Sequence, residues 1–516
     1  MTELIHPDRL AKLERMREAG IDPFPARGVD STPVADVQAG GGTNEEPGEL
    51  IDTKVTIAGR LMGMRDFGKL IFAPIQDRTG RLQVGIQKGR IEKGPTPDWW
   101  PERKFLDPGD LVSITGELGW TQKGELTIWA EEVKLLSKAL APPPEKFHGL
   151  ADKEVRYRRR YVDLWASEGV RDVFITRSRI LSHIRSFLES RGYLEVETPT
   201  LHPVMGGATA LPFSTHHNAL DMELFLRIAP ELYLKRLIVG GLERVFEISR
   251  NFRNEGISNR HNPEFTMLEL YQAQGDYTHM MEISETMISG AATDILGTTE
   301  VEFRGATYNV QAPFQRERYD ALFEKHNEGV SIHDEDAVAA RAKELGVTVA
   351  PGLGHWKLVG EIFDETVEPH LAGPIFVTHY PSAICPLAKP DPTDTPFVER
   401  FELFIGGMEL ANAFSELNDP ILQMEKFEEQ VAMKDPETPG EVDVDYVQAL
   451  EYGMPPAGGL GIGIDRLVMV LTGQDSIRDV LLFPTMRRQG ADESEAESEA
   501  EPTNEASDEA KPAKSE

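Results

Sequence analysis

Two hydrophobic periods divide this chain. In "HPDRLAKLERMREAGIDPFP" the residues Leu10, Leu13 and Met16 fall on one helical stripe, which stops at Gly20 ahead of Pro23 and Pro25. Residues 30–50 read as a Gly- and Glu-rich connection. From Lys54 to Lys138 the period shortens to that of strands: "KVTIAGRLMGMR", "KLIFAPIQD", "RLQVGIQKG", "DLVSITGELGW" and "GELTIWAEEVKLLS", separated by Gly or Asp clusters. Five strands in that length predict a small Greek-key barrel of the OB type, a shape suited to single-stranded nucleic acid. A proline-rich link covers 138–150, and from Val170 to Arg488 long strands mix with helices without an internal repeat. The fold class expected is therefore α+β, preceded by a β-barrel. The expected boundaries are 1–50 for the N-terminal helix and linker, 51–140 for the barrel and 141–165 for a hinge. The large unit spans 166–488, with a less regular insertion at about 276–380, and a tail spans 489–516.

Composition adjusts this outline in three places. With 516 residues, 40% apolar and 27% charged, the chain is long enough for two or three globular domains. One cysteine, Cys385, excludes an intrachain disulfide, and the apolar stretch near Leu460–Leu471 is broken by Gly, Asp and Arg, so the expectation is a cytoplasmic protein without a membrane span. The net charge of −32 argues against polyanion binding until its distribution is considered. The last 27 residues alone carry ten acidic and two basic side chains and almost nothing apolar, which predicts a disordered, solubilising tail. Elsewhere, Lys153, Arg156, Arg158, Arg159 and Arg160 form the densest basic run. A hinge helix facing RNA is the preferred reading; a helix salt-bridged to the large unit is the other. Arg9, Lys12 and Arg15 likewise read as phosphate contacts or as a solvated helix face.

The candidate chemistry lies in three segments of the large unit. In "RVFEISRNFR" Phe246, Ile248 and Phe252 fall on one face, and Glu247, Ser249, Asn251 and Arg253 on the other. The returning strand "EFTMLELY" presents Phe265, Met267, Glu269 and Tyr271 together, so antiparallel pairing makes one patch of a guanidinium, an aromatic ring, a carboxylate and a phenol. A guanidinium grips carboxylate or phosphate with two parallel bonds. The intervening "NEGISNRHN" places Glu255, Arg260 and His261 on a loop able to fold over a nucleotide. In "RFELFIGGMELANAFSEL" Gly406 and Gly407 permit a tight bend, flanked by Glu402 and Glu409, which suit one Mg²⁺. Asn412, Phe414 and Glu416 then share a face. In "GGLGIGIDRLVMVL" small residues allow close backbone approach before Arg466 opens a helix; this segment matches neither a P-loop nor a dinucleotide fingerprint.

With "FLESRGYLEVETPTL" at 187–201, a helix followed by a strand carrying Pro199, these segments resemble the three signature motifs of the class II aminoacyl-tRNA synthetases. The stretches "GGATALPFSTHHNALDMELFLRIAPELYLKRL", "FRNEGISNRHNPEFTMLELY" and "FSELND" resemble the bacterial lysine-specific branch. The resemblance covers roughly residues 1–488. It implies an antiparallel sheet cradling ATP, an N-terminal OB-fold reading the anticodon, and an ATP-dependent, AMP-forming ligase. Such an enzyme makes lysyl-adenylate and passes lysine to the 3′ end of tRNA(Lys).

The resemblance also implies roles. Arg253 would contact the amino-acid carboxylate and the α-phosphate, and Arg466 the γ-phosphate, as the two catalytic cations. Phe265 would stack adenine, with Glu255, Arg260, His261 and Gly461 around the nucleotide. Glu402 and Glu409 would hold Mg²⁺, the expected cofactor. Gly207 and Glu231 would receive the α-amino group of L-lysine, and Glu416, with Glu269, Tyr271, Asn412 and Phe414, its ε-ammonium. Arg65, Phe72, Gln83 and Glu125 would meet the central anticodon uridine; for Phe72 core packing is the competing role. A homodimer is implied, with Phe187–Thr200 at its interface. Ala411 and Ala413 stand where some relatives carry glycine, and Met408 where arginine is common, so the Ala411 methyl is expected to tighten the α-amino end. An aspartate- or asparagine-specific relative would need a cationic or amide-reading pocket in place of Glu269 and Glu416. A non-catalytic RNA-binding scaffold would have lost some of Arg253, Glu402, Glu409 and Arg466, and all four are present.

Overall fold

The structure is a computed structural model, described here for residues 6–41, 48–144, 150, 152–347, 354–394, 396–433 and 437–487. The acidic tail lies outside the described residues. The described residues form two compact units, one of 6–150 with 165–168 and one of 152–164 with 169–487.

In the first unit the strands Leu50–Leu61, Leu70–Gln76, Arg81–Gln87, Leu111–Trp120 and Leu126–Ser137 form a sheet that closes on itself, because Leu50–Leu61 pairs with both Leu111–Trp120 and Leu70–Gln76. A two-residue strand, Arg65–Asp66, edges it. Inward residues such as Ile57, Ile71, Ile75, Val84, Ile114 and Ile128 fill the barrel. The helix Pro7–Glu18 buries Leu13 and Met16, as the stripe predicts. Its basic residues are not all free: Arg9 is buried and donates to the carbonyls of Ala139 and Pro108, and Lys12 pairs with Asp107 at 2.6 Å, leaving Arg15 exposed. The expected connection at 30–50 contains a short helix, Val34–Gly40, whose Val34 and Val37 plug the barrel while Asp77 accepts the Val34 N–H.

The second unit is built on an eight-stranded sheet. Its spatial order is Gln315–Arg318, Ile375–Pro381, Phe397–Phe404, Glu409–Ser415, Ala457–Gly463, Glu264–Ala273, Arg244–Phe252 and Leu194–Glu195. The six central strands are antiparallel and only the two short edge strands pair in parallel. One face is apolar and packs on the helices Val170–Glu189, Tyr277–Ala291 and Ile464–Thr472. The other face carries polar side chains, which is what a period of two requires when only one face is covered.

Two expectations change here, at Pro199 and in the basic run. Within the stretch expected as a less regular insertion at about 276–380, the helix Tyr277–Ala291 joins the main core, two strands enter the sheet, and described residues from Tyr319 to Leu371 build a second core around Phe323, Val359 and Phe363. Pro199 does not lie on a strand; the strand is only Leu194–Glu195, and a residue with no N–H cannot continue the ladder. The basic run breaks into the helices Lys153–Arg158 and Arg160–Ala166. Arg160 is fully buried, pairs with Asp163 and donates to the carbonyls of Arg478, Leu481 and Leu482. Arg156 also pairs with Asp163, and Arg158 with Glu154. Desolvating these charges is tolerable only because they are paired, so most of the run is structural; Lys153 and Arg159 remain exposed.

Candidate active site

The polar face of the large sheet is a grid. In one cross-strand row stand Glu402, Asn412, Gly461, Glu269 and Glu247; in the next, Arg400, Phe414, Gly459 and Tyr271. Ser249 faces Met267, and Asn251 faces Phe265. The alternate glycines of the Ala457–Gly463 strand form the floor, while Leu460 and Ile462 between them enter the apolar core. A Cβ on Gly459 would overlap Glu416 Oε1 and the Tyr271 ring, so glycine is required at that position. Above this floor is a cavity of about 500 Å³, lined among others by Arg253, Glu269, Asn412, Phe414 and Arg466.

At one end are the cations. Arg253 follows the hairpin strand, lies 5.2 Å from the Phe265 ring centre, and has a buried Nε without a hydrogen-bond partner. Burial works against its charge, with Glu255 and Glu409 the nearest compensation, so it is poised to receive an anion. Arg466, on the first turn of Ile464–Thr472, donates through Nη1 to the backbone and side-chain oxygens of Glu409 at 2.9 and 3.0 Å. Its Nη2 lies 3.1 Å from His261 Nε2, and His261 Nδ1 lies 2.9 Å from Ser258 Oγ. Burial and the Arg466 charge depress the His261 pKa, which fits a neutral ring accepting through Nε2. Glu255 and Arg260 are exposed on the same loop.

Glu402 and Glu409 stand on paired strands around the Gly406–Gly407 bend, both of whose glycines have positive φ (61° and 64°). Glu402 accepts from Tyr380 at 2.8 Å and from Arg400; burial and the neighbouring Glu409 raise its pKa against the pull of Arg400. These are hard carboxylate oxygens, suited to a divalent cation such as Mg²⁺. Among the described residues no three His, Cys, Asp or Glu side chains are grouped to hold a metal.

At the other end is an acidic slot. Glu269 accepts from the Tyr271 hydroxyl at 3.2 Å; burial, reinforced by Glu231, pushes its pKa up to about 8. Glu231 opens the helix Glu231–Val239 and lines the cavity beside Gly207, whose φ is +86°. Glu416 is almost fully buried, with Oε1 over Gly459 beside the Tyr271 ring. Ala411 and Ala413 point the other way, into the helix-side core with Met408, so the Ala411 methyl is not at the α-amino end. This corrects the sequence expectation: residues 411 and 413 alternate with the cavity-facing Asn412 and Phe414.

Several participants escaped the sequence reading. Arg400 ties the two halves together, donating to Asn412 Oδ1 at 3.1 Å and to Glu402. Strand alternation from Glu402 would have found it. Glu368 faces the same carboxylates, and burial with Asp364, Glu402 and Glu409 nearby pushes its pKa up to about 8. Lys235 pairs with Glu231 at 2.6 Å and with Glu416, at a helical i,i+4 spacing readable in "ELYLK".

In the barrel, Arg65 donates to Gln83 Oε1 at 2.9 Å, and Gln83 to Thr127 Oγ1 at 3.0 Å. Phe72 pairs with Arg65 across the strands and is half-buried rather than part of the barrel core; its ring meets Phe67 and Trp129 edge-on. Glu125 is exposed, two residues before Thr127. The exposed Phe67, two-thirds accessible, extends this aromatic surface and was not anticipated.

Comparison with known proteins agrees with this geometry. The family described as "tRNA synthetases class II (D, K and N)" matches residues 152–487, and "OB-fold nucleic acid binding domain" matches residues 55–136. A lysine–tRNA ligase of Carboxydothermus hydrogenoformans is 50% identical over 483 residues, covering 93% of this chain and 97% of the relative. That of Moorella thermoacetica is 51% identical over 487 residues, with the same coverage, and that of Xanthomonas campestris pv. campestris is 50% identical over 489 residues, 93% of this chain and 96% of its own. The chain belongs to the class II aminoacyl-tRNA synthetases of the aspartate, lysine and asparagine group, with an N-terminal OB-fold anticodon-binding domain.

Proposed function

We propose that this protein is a lysine–tRNA ligase that joins L-lysine and ATP into lysyl-adenylate, releasing pyrophosphate, and then transfers the lysyl group to the 3′ end of tRNA(Lys). One observation carries the reading: Arg253 and Arg466 line the same cavity as Glu231 and Glu269, so an anion grip and an acidic slot share one 500 Å³ space.

The steps follow from the residues. A lysine carboxylate oxygen attacks the α-phosphorus of ATP, the new P–O bond forms, and pyrophosphate departs with the electrons of the broken bond. Arg253 pairs with the carboxylate and the α-phosphate, aligning nucleophile and target and stabilising the charge that builds on the phosphate oxygens. Arg466, its charge paired by Glu409, takes the γ-phosphate, and Phe265 offers its face to adenine. Glu255, Arg260, His261 and Gly461 bound the nucleotide. Mg²⁺ held by Glu402 and Glu409 would offset the triphosphate charge. Gly207 and Glu231 take the α-amino group; Glu269, Tyr271, Asn412, Phe414 and Glu416 surround the ε-ammonium. A slot of buried carboxylates rejects an analogue without the terminal charge, because its groups are then left unpaired.

Arg65, Phe72, Gln83 and Glu125 present stacking and hydrogen-bonding groups to a single-stranded anticodon. The exposed Leu194, 52% accessible, supports a homodimer through Phe187–Thr200. The cytoplasm is the compartment that suits an enzyme of protein synthesis with one free thiol. Among the described residues no helix is long and apolar enough to cross a membrane.

The test is amino-acid-dependent ATP–pyrophosphate exchange over a panel of amino acids. Lysine is expected to support exchange at least ~100-fold better, in kcat/KM, than aspartate, asparagine or norleucine. Exchange with aspartate or asparagine and not with lysine would overturn the assignment.

A further inference from the structure

The acidic slot already contains a cation of its own. Lys235 lies one helical turn after Glu231 and has no solvent exposure. Its Nζ donates to Glu231 Oε1 at 2.6 Å, forms an ion pair with Glu416, and lies 5.2 Å from the Phe414 ring centre. It does not line the cavity; it sits behind it. Burial alone would neutralise this amine, but Glu231 and Glu416 hold it charged, with a pKa above the ordinary lysine range. Glu416 Oε2 forms the ion pair with Lys235, while its Oε1, over Gly459 beside Tyr271, has no hydrogen-bond partner among the described residues.

Burial, and then the neighbouring Glu231, disfavour ionisation of the Glu269 and Glu416 carboxyls. Lys235, bridging Glu231 and Glu416, is the buried cation that opposes this at Glu416, although burial still pushes that carboxyl up to about 8. The bridge also fixes Glu231 and Glu416 relative to one another, and these are the groups assigned to opposite ends of the substrate.

We propose that Lys235 is a positioning residue for substrate selection: by bridging Glu231 and Glu416 it holds both carboxylates aimed, leaving Glu416 Oε1 for the substrate's ε-ammonium. This deepens the proposed function and rests on the slot being the amino-acid site.

The test compares full-length wild type, Lys235→Met, Glu416→Gln and the double variant in lysine-dependent ATP–pyrophosphate exchange. Lys235→Met is expected to raise the KM for lysine by roughly 10²-fold while the KM for ATP stays within about threefold, because the loss is at a buried carboxylate rather than at the nucleotide. In the Glu416→Gln background the bridge has already lost its carboxylate at one end, so adding Lys235→Met is expected to raise the lysine KM by no more than about threefold. An unchanged lysine KM in the single variant, or equal multiplicative effects in both backgrounds, overturns the proposal. If Lys235→Met does not fold, Lys235→Gln is compared in the same two backgrounds; failure to fold in both makes Lys235 a purely structural residue and also overturns it. Wild type that fails to use lysine would instead refute the proposed function, so the two outcomes are separable.

Discussion

Arg253→Ala is expected to lower lysine-dependent ATP–pyrophosphate exchange by at least roughly 10³-fold, equivalent to about 4 kcal/mol of transition-state stabilisation. This guanidinium is the group proposed to touch nucleophile and electrophile together, so its removal costs both alignment and charge. Arg253→Lys is expected to recover little of the loss, since a point charge cannot make two parallel bonds to carboxylate and phosphate. The fold should survive: among the described residues Arg253 Nε has no hydrogen-bond partner. A thermal midpoint near that of wild type with exchange lost is therefore the expected pair of results. Exchange within tenfold of wild type would remove Arg253 from the reaction.

Glu416→Gln is the second large effect. The neutral amide keeps the shape but leaves a lysine ε-ammonium without a counter-charge in a buried site, so the KM for lysine is expected to rise by roughly 10²- to 10³-fold, with the KM for ATP within about threefold. Unaltered lysine kinetics would refute the pocket assignment. The slot also gives the wild type a pH dependence. Glu269, with a pKa of about 8, is mostly protonated at neutral pH in the free protein and pairs poorly with an ammonium group, so the KM for lysine should fall as pH rises through about 8. Stability of the ligand-free protein runs in the opposite sense. A carboxyl whose folded pKa exceeds its unfolded value of ~4.3 favours the folded state most below that value, and loses this contribution as pH rises to about 8. Saturating lysine is expected to offset that decline.

The grid of the active site was legible because strands have a period of two. Once "RVFEISRNFR" and "EFTMLELY" pair antiparallel, Glu247, Ser249 and Asn251 must share a face with Phe265, Met267 and Glu269, and the register brings them opposite one another. The same period explains the error at Ala411: being adjacent to Asn412 in sequence places it on the opposite face of the sheet. Partnering was not legible. Whether Arg9, Arg156, Arg158 and Arg160 meet nucleic acid or their own chain depends on contacts such as Asp163 and the carbonyls near residue 481, remote in sequence or reached only through helix geometry. Lys235 belongs between these cases. Its helical spacing from Glu231 was visible, but its pairing with Glu416, 181 positions further along the chain, required the fold. Phe72 shows the same limit, since strand position alone does not separate a stacking platform from a core aromatic.

The most direct measurement is a crystal structure of the protein with a non-hydrolysable lysyl-adenylate analogue. The account places its phosphate mimic on Arg253, its adenine on Phe265 and its ε-ammonium within hydrogen-bond distance of Glu416 Oε1. An analogue bound with its side chain remote from Glu416 and Glu269, or with Arg253 turned away from the phosphate mimic, would contradict it.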